Sequence, residues 1–426
     1  MIDGSYINEN ITYRKLVNAN KPEDVGFSSL KLAKVDTLIN SEVAAGFPGA
    51  ALIVVKDGKI VKNTAYGYAK KYENNILLPE NKREKMTVNT MFDLASNTKM
   101  YATNFALQKL VSEGKINVDD LVTKYILDFK DSESDVIKGK ADIKIRDLLN
   151  HSAGFSPHPQ YFNPEVAKEL FSQDRETTLK MIAKTPLTYE AGTKVLYSDV
   201  DYMLLGSIIE NMAGMPEDKY VNENIYKPLG LNRTTFNPLK NGFSKKDCAA
   251  TELNGNTRDG VINFPNIRTY TLQGEVHDEK AYYSMGGVSG HAGLFASTHD
   301  MAILAQTVLN GGGYGGAKIF DKNISDLFTK TSDISPNYGL GWDKAGVNGK
   351  AWEFGPYASS ETIGHTGWTG TVTCIDPVND MAIILLTNKK HSQLIDKTEN
   401  SNRFKGDIFQ TGQYGRVMSL IYEALY

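Results

Sequence analysis

Cysteine is nearly missing from this chain of 426 residues: Cys248 and Cys374 stand 126 positions apart and neither has a C-x-x-C partner. That spacing indicates neither a disulfide framework nor a zinc site, and both are read as packing residues. Net charge is scarce as well. Lys plus Arg number 47 against 50 Asp plus Glu, leaving −3, and no basic block could neutralise a run of phosphates, so nucleic acid is not an expected partner. Long apolar runs are absent. The longest, residues 50–55 and 381–386, are strand-sized and fall far short of the roughly 20 residues a membrane helix needs, so no transmembrane segment is expected. The first 25 residues lack the basic-then-apolar order of a secretion signal.

What is present is a globular composition, 41% hydrophobic and 23% charged, in a chain long enough to bury a large core. After a polar leader over 1–25, Ser28 caps an expected helix whose apolar positions Leu32, Val35, Leu38, Ile39 and Val43 run to Gly46. The period then changes. Residues 50–55 and 60–68 are β-prone and are joined by Lys56-Asp57-Gly58-Lys59, a hairpin signal. From 98 to 310 the pattern is mostly helical, with 237–278 long, weakly periodic and expected to be a functional loop. Strands are expected near 338–342, over 361–375 and over 381–388, and a closing helix presents Val417, Leu420, Ile421 and Leu425. The expected class is α+β: an antiparallel sheet from both chain ends (26–95 and 331–426), flanked by terminal helices, with an inserted helical lobe over 96–330. The crevice between them is the expected site.

Three short patterns carry candidate chemistry. In Leu94-Ala95-Ser96-Asn97-Thr98-Lys99, Ser96 opens a helical run and Lys99 falls on the same face. A helix N-terminus stabilises developing negative charge, and a lysine in a dry pocket loses its proton more readily. Yet Ser-x-x-Lys also occurs at 28–31 and 112–115, where the plain reading is a helix cap or a solvated pair. The second pattern is Tyr197-Ser198-Asp199, one of several Tyr-x-Asn/Asp triplets, whose plain reading is a half-buried aromatic. The third, Gly364-His365-Thr366-Gly367-Trp368-Thr369-Gly370, would let a substrate backbone lie along a strand edge. Gly311 to Gly316 matches G-x-G-x-x-G but follows a helix, so it reads as a capping loop. Gly287-Val288-Ser289-Gly290-His291 fails the G-x-S-x-G pattern of an α/β-hydrolase elbow.

Taken together, the order Ser-x-x-Lys, Tyr-x-Asp, His-Thr-Gly resembles the serine β-lactamase and penicillin-binding protein superfamily, specifically its class C-like D,D-peptidase branch. Leu148-Leu149-Asn150-His151-Ser152-Ala153-Gly154, Tyr202-Met203-Leu204-Leu205-Gly206 and Leu385-Leu386-Thr387-Asn388 resemble phrases of that branch. Val276-His277-Asp278-Glu279-Lys280-Ala281 and Gly286-Gly287-Val288-Ser289-Gly290-His291-Ala292-Gly293-Leu294-Phe295 resemble the penicillin-binding protein 4B type and its β-lactamase-related relatives. The resemblance implies a β-lactamase/transpeptidase-like fold and a serine acyl-enzyme hydrolase. Ser96 would be the nucleophile, Lys99 and Tyr197 would share the proton work, and the backbone amides of Ser96 and Trp368 would form the oxyanion hole. Asp199, His365, Thr366, Gly367 and His291 would bind substrate.

A D,D-carboxypeptidase or endopeptidase acting on D-Ala-containing wall peptides is the first expectation. A carboxylesterase, an amidase or a β-lactamase on the same scaffold is the alternative, and a non-catalytic binder of wall fragments or β-lactams is the alternative of another class. Two departures matter. His365 stands where most β-lactamases have lysine, and Asp199 stands where asparagine is usual, which disfavours a free-carboxylate substrate and suggests an Asp199–Lys99 pair. No cofactor is expected, and no metal, since the spacing of His277, Asp278, His291 and His299 fits no familiar ligand pattern. Peptidoglycan peptides or small acyl compounds are the expected substrates, with β-lactams as covalent ligands. Such substrates imply the cell envelope or the exterior, with the signal absent from this sequence; the residues leave a cytoplasmic location open.

Overall fold

The computed structural model describes residues 12–346, 350–397 and 401–425. Its main sheet runs in the order Val17–Asn18, Lys59–Lys70, Gly49–Lys56, Met381–Thr387, Thr371–Asp376, Ile363–Gly367, Asp343–Lys344. The two chain ends meet at its centre, where Met381 pairs with Lys56 and Thr387 with Ala50 in antiparallel register. One edge is parallel: Val17–Asn18 lies along the start of Lys59–Lys70. Asp57 and Gly58 join the first hairpin with φ of 52° and 71°, the paired positive values that a two-residue primed turn demands.

Both faces of the sheet are covered, which is why its central strands read as continuous apolar runs instead of alternating. Ile53, Val55, Ile384 and Leu386 face a large core with Phe105 and Leu107. Leu52, Val54, Ile383 and Leu385 face the other way, against Val35 and Ile39 of the helix Ser29–Ala44 and Val417 and Ile421 of the helix Gly415–Glu423. Ser28 caps the first of these helices, accepting from the Lys31 amide at 3.3 Å. Leu425 lies just past the last helix and bridges to Phe27. Among the described residues no helix is long and apolar enough to cross a membrane.

Two strand expectations shift. Residues 338–342 form a turn, and the edge strand is Asp343–Lys344, because Gly341 at φ 90° interrupts the ladder. The 361–375 run divides into Ile363–Gly367 and Thr371–Asp376 at a turn closed by Gly370. The mainly helical stretch also carries a short sheet, in which Leu294–Ala296 pairs with Phe92–Asp93 and Thr234–Phe236. This sheet delivers the chain into the turn that holds Ser96.

Behind that turn, the helix Asp199–Ala213 and the loop around Gly290 meet backbone to backbone. A Cβ on Gly290 would fall 2.1 Å from the Tyr202 carbonyl oxygen, a separation no side chain tolerates. Thr103 Oγ1 lies 2.7 Å from the Gly290 carbonyl and 2.6 Å from Glu217 Oε1. One hydroxyl proton serves one acceptor, so the second contact requires a proton on Glu217. Burial supplies the reason, pushing that carboxyl up to about 8. The folded chain therefore holds a proton that the unfolded chain releases above pH 4.5, and the group's contribution to stability fades as pH rises toward 8. Urea midpoints are expected to fall between pH 5 and pH 8 by the equivalent of a few kcal/mol (~1.4 per pKa unit), with Glu217→Gln flattening that part of the slope. An identical slope in the variant would overturn the assignment.

Candidate functional site

Ser96 sits at the mouth of a tight turn. Ala95, immediately before it, is held at φ 45°, a left-handed conformation that costs a non-glycine residue about 1–2 kcal/mol. Asp93 holds this turn. One of its oxygens accepts from the Ala95 amide at 2.9 Å and the other from the His277 amide at 2.6 Å. Thr369 and Thr371 donate to the carbonyls of Asp93 and Leu94 at 2.7 and 3.0 Å, and Asn97 bonds to Thr371 and Thr373. The Ser96 turn and the His-Thr-Gly strand are thus stitched into one rigid edge. Gly367 belongs to this seam: a Cβ there would meet the Leu94 carbonyl oxygen at 2.3 Å.

Lys99 follows on the first turn of the helical run and is fully buried. Its Nζ lies 2.9 Å from Ser96 Oγ, 2.9 Å from Asp199 Oδ1 and 3.3 Å from the His291 carbonyl oxygen. Those three acceptors match the three donors of an ammonium. The same geometry serves the neutral amine, which would donate to Asp199 and His291 and turn its lone pair to the Ser96 hydroxyl. Burial pushes the Lys99 pKa down, opposed by the Asp199 carboxylate. The other two Ser-x-x-Lys patterns do different work. Ser28 caps a helix, and Ser112 accepts from the Asp321 amide while Lys115 pairs with Glu113.

Tyr197 packs its ring 4.6 Å from Lys99 Nζ. Burial, then the Asp199 carboxylate, drive its phenol well above the usual range, while Ser96 eases ionisation. Beneath it, 4.4 Å away ring to ring, lies His151, held at φ 56° and bonded through Nδ1 to Asp201 at 2.8 Å. Ser198 caps the helix Asp199–Ala213 and places Asp199 in its first turn, where the helix dipole favours a negative charge.

His365 is buried, and its Nδ1 lies 2.7 Å from the Thr366 carbonyl, which only accepts, so the ring proton is on Nδ1. Burial lowers its pKa and leaves a neutral imidazole whose Nε2 has no protein partner among the described residues. Trp368 stacks on His277 at 4.4 Å, with Arg258 and Lys390 over its ring. Ser96, Tyr197, Asp199, His365, Thr366 and Trp368 line a cleft of about 650 Å³. His291 does not line it: its imidazole is 1% exposed and bonds to Asp278 and Ser289 at 2.9 and 2.8 Å. Its carbonyl serves Lys99 instead.

Asp199, Asp278 and His291 bring donor atoms within 4.8 Å of one another. The ammonium of Lys280 already lies 3.2 and 3.1 Å from the two carboxylates, so their charge is neutralised by protein and the group reads as an ion-pair network. Lys280 and Asp278 were not singled out as site residues by sequence. The phrase holding them was visible, but nothing in local spacing joins residue 280 to residue 199.

A family model described as Beta-lactamase matches residues 35–406. The chain is 55% identical over 98% of its length to the N-acetylmuramyl-L-alanine amidase of Bacillus subtilis (strain 168), covering 93% of that protein. It is 56% identical over 97% of its length to a Salmonella typhi protein with the provisional name D-alanyl-D-alanine carboxypeptidase, covering 95% of it. Among solved structures, a penicillin-binding protein homologue from Caulobacter crescentus superposes with a TM-score of 0.64 at 19% identity, over 94% of this chain and 99% of that one. This chain belongs to the Beta-lactamase family of serine hydrolases.

Proposed function

We propose that the chain hydrolyses an amide bond of peptidoglycan-derived peptides through an acyl-enzyme on Ser96. The observation that carries this reading is the buried Lys99 Nζ held between Ser96 Oγ and Asp199, two residues that line an open cleft. Lys99, once neutral, takes the Ser96 proton as Oγ attacks the carbonyl carbon. The oxyanion faces the backbone amides of Ser96 and Trp368, donors worth about 10² to 10³ in rate each in comparable enzymes. The C–N bond breaks as Tyr197 and Lys99 return a proton to the departing nitrogen, and water then cleaves the ester on Ser96. β-Lactams, as cyclic amides, would acylate the same serine. Such substrates place the work in the cell envelope or outside the cell.

Which amide is cut follows from the charges in the cleft. Arg258 is paired with Glu252 and Glu279, Lys280 with Asp199 and Asp278, and Lys350 with Asp343, while His365 is neutral. A terminal carboxylate would have to displace one of these partners. The amide between a muramyl group and L-alanine brings no charge to the scissile bond, and Phe162, Phe264, Tyr338 and Trp352 offer flat apolar faces to its sugar. The muramyl–L-alanine bond is therefore the first reading. Release of terminal D-alanine is the second, favoured by the 56% identical Salmonella relative.

Incubation with N-acetylmuramyl-L-Ala-D-Glu and, separately, with a D-Ala-D-Ala-terminated pentapeptide distinguishes them. The first reading expects a free L-Ala amine and little D-Ala; the reverse pattern selects the second. In both, Ser96→Ala loses at least about 10³-fold in turnover and the mass adduct that a penicillin leaves on the parent. Adduct formation in Ser96→Ala would sink the acyl-enzyme reading.

Asp199 opposes proton loss from Lys99, so its removal has a definite sign. Because Lys99 acts neutral, kcat/KM rises with pH through the Lys99 pKa, and Asp199→Asn moves that acid limb to lower pH by about one unit. An unmoved limb would refute the pairing.

A further inference from the structure

An aspartate in the second motif creates a difficulty that asparagine would not. When Lys99 gives up its proton to become a base, a buried Asp199 served by Lys99 alone would be left as an uncompensated charge, which costs several kcal/mol and would hold the proton on Lys99. The structure supplies a second cation. Lys280 Nζ lies 3.2 Å from Asp199 Oδ2, the oxygen that Lys99 does not use, and 3.1 Å from Asp278 Oδ2. Asp278 Oδ1 in turn meets His291 Nε2 at 2.9 Å, and the main-chain carbonyl of His291 returns to Lys99 at 3.3 Å. Lys99, Asp199, Lys280, Asp278 and His291 therefore form a closed ring.

We infer that Lys280 is a positioning residue for proton transfer at Ser96: by holding the second oxygen of Asp199 it keeps that carboxylate compensated while Lys99 is neutral. This rests on the proposed roles of Ser96 and Lys99. The remaining groups around Lys99 do not supply the same compensation. Tyr197 and Tyr202 present ring faces at 4.6 and 5.8 Å, and the exposed His158 stands 3.9 Å from Asp199 Oδ2. His151 and Asp201 lie behind Tyr197, His365 6.0 Å from its ring, and Lys350 is bound to Asp343. Of the two cations on Asp199 at close range, Lys280 is the one that does not touch Ser96. The electrostatics agree. Burial works to neutralise Asp199, and Lys99 and Lys280 together outweigh it, holding the carboxyl well below its usual range. Burial likewise opposes the charge on Lys280, and Asp278 and Asp199 outweigh it, so Lys280 stays an ammonium where Lys99 is pushed toward the amine.

The test is the pH profile of kcat and KM for the parent, Lys280→Met, Asp199→Asn and the double variant, on whichever amide substrate the parent turns over. Lys280→Met is expected to raise the acid limb of kcat/KM by about one unit or more, to lower kcat about tenfold near neutrality, and to recover at higher pH with KM little changed. The double variant, which lacks the carboxylate that needed compensation, is expected to return the limb to the parent's position or below. Lys280→Arg keeps the charge and should keep the limb. An unmoved limb in Lys280→Met, or a loss of activity at every pH that Asp199→Asn does not relieve, overturns the inference and leaves Lys280 a packing residue. Should Lys280→Met fail to fold, as judged by circular dichroism, Lys280→Gln carries the same comparison. If Ser96→Ala keeps turnover, the underlying reading fails independently of Lys280; if Ser96 is required and the limb does not move, the inference alone fails.

Discussion

A lysine with no solvent exposure must find acceptors for its ammonium within the protein, and the site is organised around that demand. Lys99 draws on three segments far apart in sequence: its own turn through Ser96, the helix Asp199–Ala213 through Asp199, and the 286–293 loop through the His291 carbonyl. The contact with Ser96 is local, but those with Asp199 and the His291 carbonyl span 100 and 192 residues and exist only in the folded chain. The catalytic geometry is thus a product of tertiary assembly, and the burial that makes Lys99 costly to keep charged also lowers its hold on a proton.

The rest of the scaffold limits how far these parts can move. Asp93 is a buried carboxylate that accepts one bond from the turn before Ser96 and one from the loop at His277, so the strained Ala95 is fixed from two directions. The threonines at 369, 371 and 373 tie that turn to the strand Thr371–Asp376 and the turn before it, and this strand pairs with the one carrying His365. On the opposite side, the close approach of Gly290 to the Tyr202 carbonyl sets the distance between the loop and the helix, and with it the distance from the His291 carbonyl to Lys99. Gly290, Gly206, where a Cβ would fall 3.1 Å from the Gly290 nitrogen, and the Thr103 hydroxyl, none of them in the cleft, thereby bear on a contact at the nucleophile's base.

Much of this was legible in the sequence, for identifiable reasons. The first helix and hairpin were readable because Ser28, the apolar spacing to Val43 and Asp57-Gly58 are local signals, and each is realised locally. The three motifs were readable only as an ordered set; singly, Ser-x-x-Lys pointed equally at Ser28 and Ser112, which cap a helix and bind a loop amide. The short strands escaped because two or three residues carry no periodicity, and the edge strand shifted to Asp343 because Gly341 adopts a conformation that composition alone does not dictate. His291 was identified as a residue of the site, but its backbone oxygen is the part that reaches Lys99, and a carbonyl has no residue-specific signature.

Lys280 marks the limit most clearly. Its phrase was visible and its charge was visible, yet the relation that gives it meaning runs between residues 199 and 280 and exists only because Asp199 has two oxygens. A single Asp-for-Asn exchange beside a buried lysine changes the charge of the site by one, and a site that must pass a proton cannot absorb that change passively. Either the lysine stays charged and ceases to be a base, or a second cation takes over the carboxylate. The structure places that second cation, Lys280, on the free oxygen of Asp199, with Asp278 on the cleft wall and the buried His291 completing the network. The departure that, read alone, invites an idle binding protein is thus, in its full surroundings, consistent with a working proton-transfer site.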